Sequence, residues 1–299
     1  MQSDAGRIIT GPMTEASAPD PAVAAPPARG WIAAGAAMAA FLVLAAPEIA
    51  DMAKQWTWSS SYHHGWLAAP IALWLFHESG AWRGRAPAID LLGALPLSLA
   101  IALLVAGRAL DAQLLGHVAI VAGIVGVSLL TLGRVIVARS AFAFAFLVFM
   151  IPFGESLIPA LQSASAAAVA FLLNLSGVET RLDGLILTTG AGRFEMAASC
   201  AGLRFLLAAA MIASLAAHLA FARLDRQLLF VAGALALAVG ANWLRAYAIV
   251  AAATASDMRI GTGPEHVAFG WALYGGLVLA LLLLARRLGD RTRADPAVA

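Results

Sequence analysis

Long apolar stretches separated by short polar connections run through most of the chain. A transmembrane helix needs about 20 predominantly apolar residues. The pattern therefore predicts an all-α polytopic membrane protein with about eight transmembrane helices. The predicted spans are 31–50, 65–79, 88–107, 114–133, 140–154, 200–221, 228–251 and 266–285.

Two segments between these spans have different patterns. Residues 157–175 are rich in Ala and Ser, and we expect an interfacial or re-entrant helix there rather than a further span. Residues 177–199 form the longest polar connection, with short alternating runs of apolar and polar residues. Alternation with a period of two is typical of strands, so this connection is predicted to contain a small β-hairpin, with strands at 185–189 and 193–196.

The two ends of the chain lack the apolar pattern. Residues 1–30 are rich in Ala, Pro and Ser and carry mixed charges, which is typical of a disordered tail. Residues 286–299 contain several arginines. We therefore expect one membrane domain at 31–285 between two cytoplasmic tails, of which the second is basic.

The composition supports a membrane location and argues against a nucleic-acid-binding protein and against a protein held by disulfides or a cysteine-rich metal site. The chain is 62% hydrophobic and 12% charged, whereas soluble domains are about half apolar and a quarter charged. The excess apolar surface is expected to contact membrane lipids. The arginines are scattered and the formal net charge is only +2, so we expect no nucleic-acid partner. Since Cys200 is the single cysteine, neither an intrachain disulfide nor a cysteine-rich metal site can form, and we expect no metal and no cofactor.

The basic residues orient the predicted spans. Cytoplasmic connections of membrane proteins carry an excess of Lys and Arg. With a cytoplasmic N-terminus, most of the 19 Lys and Arg residues fall on the cytoplasmic side. The outer connections hold only Lys54, Arg108, Arg181, Arg193 and Arg259. Both termini are therefore predicted to be cytoplasmic, and the 177–199 connection is predicted to be extracytoplasmic.

Three residues of unusual chemistry reach the same predicted depth. Cys200 begins the sixth predicted span and His266 the eighth, both at the outer side. Arg245 lies in the seventh span, which starts inside, and at ~1.5 Å per residue it is ~26 Å along a core of ~30 Å. Each residue alone has an ordinary interpretation, as a packed or palmitoylated cysteine, an arginine that reaches the interface or a helix-capping histidine. Because all three residues are predicted to lie at the same depth in the membrane, a catalytic role is as well supported as these ordinary interpretations.

The chemistry of these residues is mutually consistent. Cysteine acts as a nucleophile in its thiolate form, which a helix N-terminus or a neighbouring cation favours. Cys200 is predicted to lie at a helix N-terminus, with His266 as its base or ion-pair partner. The backbone N–H groups of Ala201 and Gly202 are expected to face a tetrahedral oxyanion, and the guanidinium of Arg245 can stabilise the same charge.

Other polar residues are expected to have supporting roles. Arg204 follows Cys200 by one helical turn, and we expect it to shape the field of the site or to bind a substrate carboxylate. His63 and His64 are adjacent, and no carboxylate lies at ligand spacing from them. We therefore expect them to form an outer-loop cap or part of a substrate groove rather than a metal site.

Three sequence blocks resemble those of the exosortase/archaeosortase family. They are Glu195-Met-Ala-Ala-Ser-Cys200-Ala-Gly-Leu-Arg204, Asn242-Trp-Leu-Arg245 and His266-Val-Ala-Phe-Gly-Trp271. The segment Ser61-Tyr-His-His-Gly65 is similar to an earlier block of that family. The resemblance covers roughly residues 31–285.

The resemblance implies a membrane-embedded cysteine transpeptidase of the exosortase branch, located in the bacterial inner membrane with an extracytoplasmic active site. Such enzymes recognise exported proteins that end in a Pro-Glu-Pro motif, a transmembrane helix and an Arg-rich tail. They cleave near the motif, are thought to transfer the protein to an acceptor, and are associated with exopolysaccharide production. The resemblance assigns Cys200 as nucleophile, Arg245 as transition-state stabiliser and His266 as general acid and base. It also implies binding or supporting roles for Arg204, Gly202, Ala201, Asn242 and Glu195.

The chain departs from the family pattern at two positions. Ala201 follows the cysteine where the family usually has serine, so a hydroxyl that can help to bind the oxyanion is missing. Glu265 precedes the histidine where aspartate is common. Two other functions stay open at this point. One is a non-catalytic component of exopolysaccharide assembly or export, and the other is a membrane acyltransferase that uses the same thiol.

Overall fold

The structure is a computed structural model that describes residues 28–259 and 265–290, with the backbone alone for residues 28 and 265–267. Helices dominate it, as predicted. They are α1 (Ala28–Leu44), α2 (Ala46–Trp58), α3 (Gly65–Glu78), α4 (Ala94–Leu110), α5 (Gln113–Leu132), α6 (Arg134–Arg139), α7 (Ala141–Phe146), α8 (Ile158–Leu175), α9 (Leu203–Ala220), α10 (Leu224–Ala255) and α11 (Glu265–Leu288). The predicted disordered tail, apart from its last three residues in α1, and the final nine residues of the basic tail lie outside the described part.

Six helical segments in the described ranges are long and apolar enough to cross a membrane, or seven if one bent pair counts as a span. This confirms the polytopic membrane class. The six are Leu91–Leu110, Gln113–Leu132, Glu155–Leu175, Ala198–Ala220, Leu224–Ala255 and Ala268–Leu288. All except Glu155–Leu175 coincide with predicted spans, and the difference from eight has identifiable causes.

The first predicted span, 31–50, is broken rather than straight. Helices α1 and α2 meet at an angle of 72°. Pro47 lies in the first turn of α2, and proline ends a preceding helix because it lacks an N–H and its ring clashes with the turn before it. Helix α2 then buries Met52 and Trp56 against the rest of the protein.

Two other predicted spans, 65–79 and 140–154, are too short to cross a bilayer alone. Helix α3 has 14 residues, which is ~21 Å of helix against a hydrocarbon core of ~30 Å. The other segment is helical only from Ala141 to Met150. The two pack against each other and against α9, through buried residues that include Leu75, Phe146 and Met211. Hydropathy measures apolar length and does not distinguish short packed helices from spans.

Helix α10 is the longest element and organises the end of the molecule that carries the candidate site. Its 32 residues correspond to ~48 Å, well beyond a ~30 Å core. Helix α8 packs along the last third of α10. There, Val169 and Leu173 of α8 contact Ala246 and Val250 of α10 in one buried cluster. Residues 157–175 thus form one continuous helix, so the re-entrant alternative is wrong, while the interfacial alternative stays a prediction.

The polar connection before Cys200 contains the predicted hairpin. Strands β2 (Ile186–Thr189) and β3 (Gly192–Glu195) pair antiparallel. A third strand, β1 (Arg181–Asp183), pairs with β2 and was not predicted. Leu187 is fully buried against α8 and α10, so the sheet is fixed to the same end of α10 as α8.

A polar contact joins α9, α10 and α11 at the opposite end of the molecule. The Asp290 carboxylate accepts a hydrogen bond from the Ala222 N–H at 2.8 Å and one from the Arg226 guanidinium at 3.2 Å. The Asp290 N–H donates to the Ala220 carbonyl at 2.9 Å. The three helices that contribute to the candidate site are therefore held together at their far ends.

Candidate active site

Cys200 ends a short 3-10 turn, Ala198–Cys200, that precedes α9. Helix α9 itself begins at Leu203, with Gly202 as its N-terminal cap. Cys200 is partly exposed and is the free thiol of the chain. The cysteine therefore lies just outside the helix N-terminus, three residues before the first helical residue, rather than inside the predicted span.

The turn changes one expectation about the oxyanion donors. The Ala201 N–H already donates to the Ala198 carbonyl at 3.1 Å, so the prediction that it receives an oxyanion is wrong for this conformation. The first N–H groups of a helix have no acceptor within the helix. The amides of Leu203 and Arg204, in the first turn of α9, are therefore better candidate donors.

Asn242 fixes this turn to α10. It is 3% exposed, and its Nδ2 donates to the Cys200 carbonyl at 2.9 Å and lies 3.4 Å from the Ser165 Oγ. Gly202 has a φ of +88°, and a Cβ at this position would lie 2.6 Å from the Asn242 Cγ. Glycine is needed at position 202 both for the left-handed backbone and for the close approach of Asn242.

Replacing Gly202 with alanine is expected to displace Cys200. The left-handed conformation costs an alanine about 1–2 kcal/mol, and Asn242 has to move away from the new methyl group. We expect a lower melting temperature together with a changed alkylation rate of Cys200, measured with a soluble maleimide. Gly240→Ala is the matched control, because no atom lies within 4 Å of a Cβ there. Equal melting and alkylation in Gly202→Ala and wild type would contradict this assignment.

Arg245 lies one turn after Asn242 on α10 and is 3% exposed. Its Nε and Nη1 atoms have no hydrogen-bond partner among the described residues. A Cβ on Gly270 would lie 3.0 Å from the Arg245 Nε, so α11 passes close to the guanidinium. A buried guanidinium with free N–H groups is suited to bind an anion or a developing negative charge.

Arg204 provides a second cation beside the first. Its Nε is buried and likewise has no described partner. The Phe205 ring lies near both guanidinium groups, 4.9 Å from the Arg204 Cζ and 5.6 Å from the Arg245 Cζ. The aromatic ring partly stabilises the two cations, but no carboxylate among the described residues neutralises them.

These side chains share one cavity of about 520 Å³. Its lining residues are Ser60, Ser61, His63, His64, Ser199, Cys200, Arg204, Phe205, Ala208, Arg245, Ile249, Gly270, Trp271 and Tyr274. Cys200, Arg204 and Arg245 are thus together, as the sequence predicted. The expectation that His63 and His64 form part of a groove agrees with their place in this lining. Sequence reasoning missed Phe205 and Tyr274, which fit an ordinary apolar helix pattern.

The remaining predicted residues have different outcomes. His266 is the second residue of α11, four positions before Gly270 and so on the same helix face. The side chains of His266 and Glu265 lie outside the described part, and their roles stay predictions. Glu195 is exposed at the end of β3 and does not line the cavity. A direct role for Glu195 in the site is therefore not supported.

Comparison with known families agrees with this picture. A family model for transmembrane exosortases matches residues 56–284, which include every residue that lines the cavity. No curated protein and no solved structure matches the chain significantly.

Proposed function

The chain belongs to the transmembrane exosortase family, and from this membership together with the cavity around Cys200 we propose that it is a cysteine transpeptidase that processes exported proteins. The observation that carries the proposal is the cavity itself. A partly exposed thiol shares it with two guanidinium groups that have no described acidic partner. A cysteine beside cations without counter-charges is an arrangement that favours acyl transfer through a thiolate.

In the proposed reaction the Cys200 thiolate attacks the scissile carbonyl of the substrate. The Arg245 guanidinium and the free amides of the first turn of α9 hold the oxyanion. His266 protonates the leaving amine, so a thioester with Cys200 remains. A second nucleophile then resolves the thioester, which regenerates the thiol.

The proposed substrates are exported proteins with a C-terminal Pro-Glu-Pro motif, a transmembrane helix and an Arg-rich tail. The glutamate of such a motif complements Arg204, since a buried cation without a partner favours an anionic ligand. The exposed Trp271 at the cavity lining gives the site an apolar edge, at which a substrate helix in the lipid can lie. Association with exopolysaccharide production is part of the same proposal.

We further propose that the protein lies in the bacterial inner membrane, with cytoplasmic termini and an extracytoplasmic site. The cavity and the basic helix ends support this orientation. Arg223 and Arg226 flank the start of α10, and Arg286 and Arg287 lie in the last turn of α11. These four arginines are at the opposite end of the helices from the cavity, as the distribution of positive charge in membrane proteins requires.

Capture of the covalent intermediate tests the proposal. Purified protein is mixed with a synthetic substrate that carries the motif, quenched in acid, and its intact mass is measured. We expect a peptide-sized adduct that maps to Cys200 and disappears on treatment with hydroxylamine, as a thioester does. An adduct with the mass of a fatty acyl chain would support an acyltransferase instead. The lack of any adduct, with substrate bound, would support a non-catalytic component.

A further inference from the structure

One wall of the cavity is formed by residues to which the proposed formation of the thioester assigns no role. The turn between α2 and α3 contributes Ser60, Ser61, His63 and His64 to the lining. Cys200 and the two arginines come from the loop before α9 and from α9 and α10. We call the four turn residues the serine–histidine wall. They give the cavity two hydroxyl groups and two imidazoles in addition to the nucleophile and the cations.

Buried contacts on both sides of the turn hold this wall in place. The Trp56 indole N–H donates to the Met150 carbonyl at 2.8 Å, and a Cβ on Gly65 would collide with the same indole. Tyr62 is 2% exposed, so the residue before His63 is anchored in the interior of the protein. Burial, together with the Glu155 carboxylate, raises the pKa of Tyr62 to about 12, so the hydroxyl stays a donor at neutral pH. The turn therefore places its histidines at the cavity through specific packing.

The charges of the two sides of the cavity differ. The serine–histidine wall contains no carboxylate, arginine or lysine, and burial lowers the pKa of His64, which favours its neutral imidazole. The other side carries Arg204 and Arg245, and no carboxylate is among the described residues that line the cavity. An ammonium group that entered the cavity would meet two guanidinium groups and no described counter-charge. A neutral, hydrogen-bonding group would not be repelled.

We propose that the serine–histidine wall is the acceptor subsite, that it binds a neutral hydroxyl compound, and that His64 accepts the hydroxyl proton during attack on the thioester. This inference rests on the proposed function, since it requires an acyl group on Cys200. The acceptor oxygen forms a bond to the carbonyl carbon and the bond from that carbon to sulfur breaks. The thiolate of Cys200 leaves, and the proton passes from the acceptor to the free imidazole nitrogen of His64 and then to water. The product is an ester of the acceptor, so with this acceptor the enzyme transfers the peptidyl group of the same thioester to oxygen instead of to an amine.

The test separates the two halves of the reaction in the full-length protein. The thioester is formed with the synthetic substrate, excess substrate is removed, and its decay is followed by intact mass. His64→Gln keeps a hydrogen-bonding side chain but cannot accept a proton. The thioester of each protein is isolated before its decay is timed, so a change in its rate of formation does not affect the comparison. We expect the His64→Gln thioester to decay roughly 10²-fold or more slowly than that of wild type, in the range of general base catalysis. His77→Gln, an exposed histidine at the end of α3, is the control and should behave as wild type in both halves.

The class of acceptor is tested with two probes of equal size. Glycerol and 2-amino-1,3-propanediol differ only in an ammonium group that replaces one hydroxyl. We expect glycerol to accelerate thioester decay in wild type but not in His64→Gln, with a glyceryl ester as the product. The amine should react at the same rate in both proteins, because its attack does not use the subsite.

Three outcomes would overturn the inference. The first is equal thioester decay in His64→Gln and wild type, provided that alkylation of Cys200 shows an intact site. The second is amine transfer that depends on His64 while glycerol transfer does not. The third is the absence of a thioester in wild type, which would remove the proposed function as well. The first two outcomes leave the proposed function standing, so the two failures are distinguishable.

Discussion

Cys200→Ala is expected to abolish processing of a tagged substrate that is co-expressed with the protein. Loss of the nucleophile in a covalent mechanism removes roughly 10⁴- to 10⁶-fold of the rate, because neither the cations nor the helix amides can form the acyl intermediate. On a blot, the mobility shift of the substrate should be absent. In a single-turnover assay, no cleaved fragment should form above the background without enzyme.

The same variant should fold normally, and this makes the result interpretable. The Cys200 side chain is only partly buried, and removal of a partly exposed thiol creates little cavity. Its melting temperature and its amount in the membrane should match wild type. The control for expression and purification is Ser163→Ala. Ser163 is exposed on α8, and its hydroxyl donates to the Pro159 carbonyl of the same helix. Full processing by Cys200→Ala would mean that the family blocks have a structural role in this chain.

Cys200→Ser distinguishes a thiolate mechanism from one that needs only a nucleophile of similar shape. A serine hydroxyl is weak unless an adjacent base activates it. The cations of the cavity favour a thiolate without activating a hydroxyl, and His64 is proposed to act on the acceptor rather than on the side chain at position 200. Cys200→Ser is therefore expected to be nearly as inactive as Cys200→Ala.

The sequence predicted that Cys200 and Arg245 lie at the same depth, because depth in the membrane depends on helix geometry; that they share a cavity depends on the packing of α9 against α10. A helix rises ~1.5 Å per residue and a bilayer core has a nearly constant thickness. Counting residues from the end of an apolar stretch therefore gives the depth of a residue in the membrane. Arg204 lines the same cavity as Cys200 and Arg245, although Cys200 lies in the turn before α9 rather than one turn earlier in the same helix.

Other parts of the site depend on contacts that no local pattern encodes. The serine–histidine wall reaches the cavity through the bond between Trp56 and Met150, which are 94 residues apart. Asn242 holds the carbonyl of Cys200 across 42 residues. Hydropathy also wrongly predicted transmembrane spans at α3 and at Ala141–Met150. Short apolar helices that pack against neighbouring helices have the same composition as helices that face lipid. Packing across the chain, rather than periodicity, determines these features.

Arg245 shows why a buried charge without a partner indicates function. Removal of a guanidinium from water costs several kcal/mol unless hydrogen bonds and a counter-charge compensate. Two guanidinium nitrogens of Arg245, Nε and Nη1, lack described partners, and Phe205 supplies only an aromatic face. An arginine kept for stability alone would be paired, as Arg226 is with Asp290. The described surroundings of Arg245 are therefore incomplete without an anion, and in the proposed mechanism the oxyanion of the transition state is that anion.

Arg245→Met is accordingly expected to separate activity from stability. Methionine fills similar space without a charge, so the rate of thioester formation should fall roughly 10²- to 10³-fold, as on loss of an oxyanion donor, while the melting temperature should not fall. Arg226→Met is the matched control: it breaks a partly exposed ion pair worth about 1 kcal/mol or less and should leave the rate within twofold. Arg245→Lys should recover only part of the rate, because an ammonium lacks the planar fork of donors. If Arg245→Met instead lost melting temperature and activity together, the arginine would be a structural residue and the oxyanion would need another cation, of which Arg204 is the nearest described candidate.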